Sequence, residues 1–320
     1  MLMKYVPNFK GFDFFPHDLR IPFMRWKDFA IVMSVVAMLA SLALCMTRGL
    51  NYGVDFKGGS LIELQAENGN ADVSALRDKL HAAGFGGAQI QEFGRPDDVL
   101  IRIQEQPGGD AAQQEAVKKV VAAVGEGYKQ RRLEVVGPAV SSELRTTGFI
   151  AVAASILAIV AYVWFRFEWQ FAVGAVVALV HDVLVTAGIF SLFQFEFDLS
   201  IVAALLTILG YSVNDTVVVS DRIRENLRKF KKMNLDDLLN LSINETLSRT
   251  ILTACSAIVV LLALYFFGGE VIRNFNLAML IGIVVGTYSS IFIAAPLLSY
   301  LGIKRDWSET AAKGSVTAKA

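Results

Sequence analysis

Long uncharged stretches alternate with short charged ones along this chain, and their lengths define its organisation. Residues 29–47 are a run of 19 without a charge, residues 146–165 one of 20, and residues 250–269 another of 20. Residues 274–303 extend the pattern to 30. Residues 169–195 form an apolar stretch broken only by His181 and Asp182, and residues 199–220 one broken only by Asp215. An α-helix needs about 20 apolar residues to cross the hydrocarbon core of a bilayer. The pattern therefore predicts six spans, one ahead of residues 50–140 and five behind them in 146–303. The 30-residue run must include some interfacial or loop length.

Residues 50–140 have another texture: polar, charged and built of short alternations. Residues 60–66, 88–94, 99–104 and 132–136 read as strands, with residues 95–98 (Arg-Pro-Asp-Asp) as a turn between the middle two. Residues 71–83 place Val73, Leu76 and Leu80 on one helical face, and residues 111–124 do the same with Val117, Val120, Val121 and Val124. The order β-α-β-β-α-β is the ferredoxin-like arrangement. The expected fold is thus a polytopic α-helical membrane protein with a small α+β domain between its first and second spans.

Charge fixes the expected orientation. Loops on one side carry Arg166, then Arg222, Arg224, Arg228, Lys229, Lys231 and Lys232, then Lys304 and Arg305. Short loops on the other side carry Glu196 and Asp198, then Glu270 and Arg273. The positive-inside rule then puts both termini in the cytoplasm and residues 50–140 in the periplasm. Residues 1–28 read as a cytoplasmic segment ahead of an uncleaved anchor at 29–47. Residues 221–248 read as an amphipathic cytoplasmic connector along the membrane surface, and residues 304–320 as a polar cytoplasmic tail.

Composition narrows the functional classes. At 54% hydrophobic, 19% charged and a mean hydropathy of +0.48, the chain is too apolar for an ordinary soluble domain. Lys plus Arg equal Asp plus Glu at 30 each, which argues against a nucleic-acid partner. Cys45 and Cys255 lie in apolar runs with no metal-ligand spacing, and three histidines are too few for a histidine site. No metal or cofactor is expected. Walker A, GxSxG and HExxH patterns are absent, and the flanks of the two intramembrane aspartates lack the glycine-aspartate pattern of intramembrane aspartyl proteases.

The candidate chemistry lies inside the spans. A carboxyl there costs about 2.5–3.5 kcal/mol on insertion scales, so it usually faces a bundle interior and has a task. Asp215 falls in the cytoplasmic half of span four, and Arg249 opens span five at comparable depth, which allows an ion pair. Tyr211, Ser212, Asn214 and Thr216 supply a polar path around Asp215. Asp182 sits near mid-depth in span three, as a third proton-handling group or as a structural partner of His181. Arg249 has a blander alternative, a headgroup anchor. Gly282 and Gly286 form a GxxxG pattern suited to close helix contact.

Three segments resemble the SecF-type subunits of the SecDF protein-export complex, within the resistance–nodulation–division superfamily. Residues 51–59, with Val54, Asp55, Phe56, Gly58 and Gly59, look like the family's VDF-x-GG motif. Residues 136–144, with Gly137 and Pro138, resemble its V-G-P-x-V-x-x-E-L element. Residues 209–226 resemble its fourth-span signature. The resemblance implies a non-enzymatic subunit of a proton-driven inner-membrane machine that promotes preprotein export. It implies SecD and the SecYEG channel as partners, with YajC and YidC as further candidates, and the proton gradient in place of a cofactor. By matched position, Asp215 becomes the proton carrier, Arg249 its partner and Asp182 a weaker candidate. A small-molecule efflux subunit of the same superfamily and a non-energised translocon scaffold are the alternatives.

Overall fold

The structure, a computed structural model, describes residues 20–303. Residues 1–19 of the N-terminal segment and the tail 304–320 lie outside it. Among the described residues, six helices have the length and apolarity to cross a membrane. They are α1 (Lys27–Thr47), α5 (Pro138–Arg166), α6 (Trp169–Phe193), α7 (Leu199–Lys229), α8 (Leu235–Phe267), and α9 (Arg273–Ser289) continued through a π-turn (Ser290–Ala294) into α10 (Ala295–Leu301). A 3-10 turn, Phe23–Trp26, leads into α1. Helices α6, α7 and the α9–α10 rod bury about half of their apolar windows, whereas α1, α5 and α8 bury less than a fifth. The first three therefore form the centre and the others the rim.

Small residues set the spacing of that centre. A Cβ at Gly282 of α9 would fall on the side chain of Ile208 in α7, and one at Gly286 would stand 3.2 Å from Ser212 Cβ. The GxxxG face thus lets α9 lie directly against α7. Gly188 of α6 meets Ser41 of α1 in the same way. We expect Gly282→Val to destabilise the bundle by about 1–3 kcal/mol through overpacking, read as a lower Tm of the detergent-solubilised chain. Gly210→Ala, where an added Cβ meets nothing within 4 Å, is the matched control and holds or raises Tm.

The small domain has the topology read from the periodicity. Strands β2 (Gly59–Ala66), β3 (Gln89–Phe93), β4 (Arg95–Ile103) and β5 (Tyr128–Val136) make one antiparallel sheet in the order β3-β4-β2-β5. Helices α3 (Val73–Ala82) and α4 (Gly109–Val124) cover one face, burying Leu76, Leu80, Val117, Val120 and Val124 against Ile62, Leu64, Val99, Ile101 and Ile103. The turn differs from expectation. The hairpin reverses at Gly94 (φ 78°), and β4 already starts at Arg95. Pro96, Asp97 and Asp98 form a bulge on the β3 side, between the pairs Phe93↔Arg95 and Glu92↔Val99. A proline at such a bulge loses no ladder bond, and its carbonyl accepts from Ala71 N–H (2.8 Å).

Three other boundaries move. Helix α5 starts at Pro138 rather than near residue 146, with Gly137 as its N-cap and Pro138 pre-set for the first turn. Residues 221–248 are not a separate surface connector. They continue α7 and open α8, so the two spans run on as a helical hairpin joined through residues 230–234. At 31 residues, α7 is about 46 Å long at 1.5 Å per residue, well beyond a hydrocarbon core of about 30 Å. The 30-residue final run holds no loop: it is one helical rod from Arg273 to Leu301, interrupted by the π-turn.

Ion pairs and hydrogen bonds brace the hairpin end. Lys27 Nζ reaches Asp236 (2.7 Å) and Ser299, Arg222 bridges Glu245 (2.7 Å) and Glu225 (2.6 Å), and Asn240 and Asn244 hold backbone groups of Met24 and Ile21. At the opposite end, β1 (Asn51–Tyr52) pairs in parallel with β6 (Glu196–Phe197), joining the entry of the small domain to the α6–α7 loop.

Candidate functional site

Two carboxylates stand in the middle of the central helices, and hydroxyls from neighbouring helices hold each one. Asp182 on α6 is fully buried. Its Oδ2 accepts from Ser212 Oγ of α7 (2.6 Å) and Ser289 Oγ of α9 (2.9 Å), while Oδ1 faces His181 Nδ1 at 3.0 Å. Asp215 on α7 is buried to 8% exposure. Its Oδ1 accepts from Thr250 Oγ1 of α8 (2.6 Å), and its Oδ2 accepts a short bond from Ser290 Oγ in the π-turn.

The π-turn ties the two together. Ser289 and Ser290 are adjacent, yet one donates to Asp182 and the other to Asp215. Each serine also has a backbone acceptor within reach, Gly286 O for Ser289 and Thr287 O for Ser290, both at 3.1 Å. A hydroxyl carries one proton. Each serine can therefore donate to its carboxylate, or turn to the backbone and accept from a protonated one. A single π-turn interrupting a helix is a frequent mark of function. Here Pro296 supplies a local cause, because its ring crowds the carbonyl four residues earlier.

The other expected residues divide. Ser212 is buried and bonded to Asp182 rather than to Asp215. Thr216 is 3% exposed, and its Oγ1 has no hydrogen-bond partner among the described residues. Tyr211 is half-buried with its hydroxyl beside Thr253. Asn214 is exposed. Arg249 is also exposed, and among the described residues no ion pair within 4.0 Å joins it to Asp215. The next residue, Thr250, makes the contact instead. One helical position is a rotation of about 100°, which turns Thr250 inward and Arg249 outward. Ser289, Ser290 and Thr250 were not singled out from the sequence. The available signal was two adjacent serines in an apolar span, shortly before a proline. Among the described residues, no cluster of three His, Cys, Asp or Glu suits a metal ion.

The VDF-x-GG residues lie at the other end of α7. Phe56 packs with Phe197 and Tyr52 at the edge of the bundle core. Gly58 and Gly59 turn the chain into β2 with φ of 75° and 116°, and a Cβ at Gly59 would fall on the Ile103 carbonyl. Val54 joins Leu61 and Leu100 on the sheet face away from α3 and α4. Asp55 Oδ2 accepts from Leu199 N–H, the first residue of α7 (2.9 Å). Gly137 allows close approach of Asp110, which a Cβ would meet directly.

Six apolar helices around two buried, hydroxyl-bound carboxylates define a polytopic membrane protein with ionisable machinery at its centre. Residues 116–304 match the family described as protein export membrane protein SecD/SecF, C-terminal, and residues 43–69 match the SecD/SecF GG motif. The protein translocase subunit SecF of Vibrio alginolyticus is 44% identical over 92% of this chain and 94% of its own length. The protein translocase subunit SecDF of Brucella abortus is 45% identical over 94% of this chain, but the chain spans only 40% of that longer relative. The crystal structure of SecDF, a translocon-associated membrane protein from a Thermus species, superposes with a TM-score of 0.80 at 37% identity, covering 90% of this chain and 39% of that one. The chain belongs to the SecD/SecF family of protein-export membrane proteins. With its six spans, it is a multi-pass protein of the inner membrane.

Proposed function

We propose that this chain is the SecF-type half of a proton-driven accessory to protein export, acting on a translocating preprotein at the SecYEG channel with a SecD subunit beside it. YajC and YidC are further candidate neighbours, and lipid covers the apolar rim. The chain works without enzymatic chemistry and without a cofactor other than the proton gradient. Both termini face the cytoplasm, and residues 50–140 face the periplasm. Asp215 is the proton carrier, Asp182 braces the helices around it, and Arg249 waits at the helix surface for a conformation that turns it inward.

The observation that carries this reading is Asp215 itself. It is a buried carboxylate in a span, bound by hydroxyls alone, one of which has a second acceptor. Such a group can take or release a proton while its neighbours adjust by rotation. A charge moving through 100 mV is worth about 2.3 kcal/mol, enough to bias a helix between two packings. The test is co-reconstitution with SecD and SecYEG in vesicles. Preprotein transport after the ATP-driven phase should depend on an imposed gradient and stop with a protonophore. Transport indifferent to the protonophore would reject the reading.

A further inference from the structure

Residues 51–59 and Arg102 converge on the four residues that lead into α7. Gly53 N–H donates to Phe197 O (2.9 Å), and Asn51–Tyr52 pairs with Glu196–Phe197. Asp55 accepts from Leu199 N–H, and Asp198 accepts from Ile201 N–H as the N-cap of the same helix. Asp55 and Asp198 therefore take up two of the four N–H groups that a helix start leaves open. Arg102, from β4, places Nη2 2.5 Å from Glu196 Oε1. This is a close ion pair off hydrogen-bond alignment, because Nε and Nη2 of Arg102 are buried without an aligned acceptor.

Elsewhere the small domain stands off from α7 and α9. A cavity of about 440 Å³ separates them, lined by Leu61 and Leu100 of the sheet and by Ala203 and Phe275 of the helices. The domain is tied covalently to α1 and α5, and these contacts add a third tie, to α7. That helix carries Asp215 at its centre.

We infer that Asp55 and the Arg102–Glu196 pair form a clamp fastening the small domain to the start of α7, so that a shift of α7 set by Asp215 is delivered to the domain. This rests on the proposed role of Asp215. The clamp residues touch neither proton nor preprotein, and Asp55 acts as a positioning residue. Its grip is electrostatically lopsided. Burial pushes the Glu196 carboxyl up, Arg102 pulls it back, and Asp198 and Asp55 push it up again. One guanidinium thus balances three carboxylates, and losing it would leave a half-buried acid flanked by like charges.

The test is a double-mutant cycle read by distance. The full chain, co-expressed with SecD and held in nanodiscs, carries spin labels at D78C on α3 and F267C at the end of α8, with Cys45 and Cys255 replaced. Asp215→Asn, a neutral stand-in for the protonated acid, should shift the label distance in the otherwise unaltered chain. The same change should give no shift in an Asp55→Ala background. Asp55→Asn keeps an oxygen to cap Leu199 and should restore the shift. Arg102→Gln is the second route and should abolish it as Asp55→Ala does, which keeps the test decisive if one variant fails to assemble. A D215N shift that persists in both Asp55→Ala and Arg102→Gln overturns the clamp. So does the absence of any shift in the unaltered chain. If Asp215→Asn instead exports normally, the proton role falls, whatever the labels report.

Discussion

Asp215→Asn should reduce gradient-driven export to background while leaving the chain folded and assembled with its partner. Both halves of that expectation come from the geometry. An asparagine in the same place keeps an oxygen for Thr250 Oγ1. Its amide can donate to Ser290 Oγ, which then turns its proton to Thr287 O. No buried group is orphaned, so packing survives. The side chain can no longer change charge, so coupling to the gradient ends. Pulse-chase export in cells carrying the variant, with co-purification of SecD from the same membranes, reads both halves.

Asp182→Ala should fail differently. Its carboxylate accepts from Ser212 and Ser289 on two other helices and faces His181 on its own. Removing it leaves Ser212 Oγ without its carboxylate acceptor and His181 Nδ1 without its partner, both at buried positions. Ser289 retains Gly286 O. Each buried group left unpaired costs about 1–3 kcal/mol, so the bundle should lose about 3 kcal/mol. The measurement is the amount and Tm of the variant recovered from membranes. Lower yield and lower Tm are expected, with export falling in proportion to the protein present. A variant with normal yield and Tm but no export would move Asp182 from brace to proton carrier.

Much of this architecture is legible in the chain. Six spans follow from charge-free lengths, and the small domain from short alternations and two amphipathic helices. The misreadings share a cause: hydropathy marks where a helix enters lipid, not where the helix ends. Glu143 and Arg145 end the charge-free run at residue 146, although the helix itself starts at Pro138. Residues 221–248 are charged and read as surface-bound, yet no proline or glycine interrupts them and the helices simply continue. The site was half visible. Asp182 and Asp215 stand out because a carboxylate in an apolar run is costly. Of their hydroxyl partners only Ser212 does, and for the wrong acid; Thr250, Ser289 and Ser290 do not, because serine and threonine cost little in a span and mark nothing until helices bring them together. Comparable depth and the matched motif both point to Arg249 as the partner of Asp215, and neither fixes which way its side chain faces in one conformation.

The clamp also gives the VDF-x-GG segment a physical role. Its glycines make the turn into the sheet, Phe56 anchors it to the bundle, and Asp55 caps α7. Domain and helix then move as neighbours joined at one point, with a cavity beside them that leaves room for motion.

In the proposed mechanism a proton passes through Asp215. This step is tested most directly by proton flux out of vesicles that hold the chain with SecD and SecYEG, cytoplasmic face outward, followed with an internal pH-sensitive dye during preprotein import. Outward flux is expected that needs both preprotein and an imposed gradient, acid inside, and that disappears in Asp215→Asn. Undiminished flux in Asp215→Asn would contradict it.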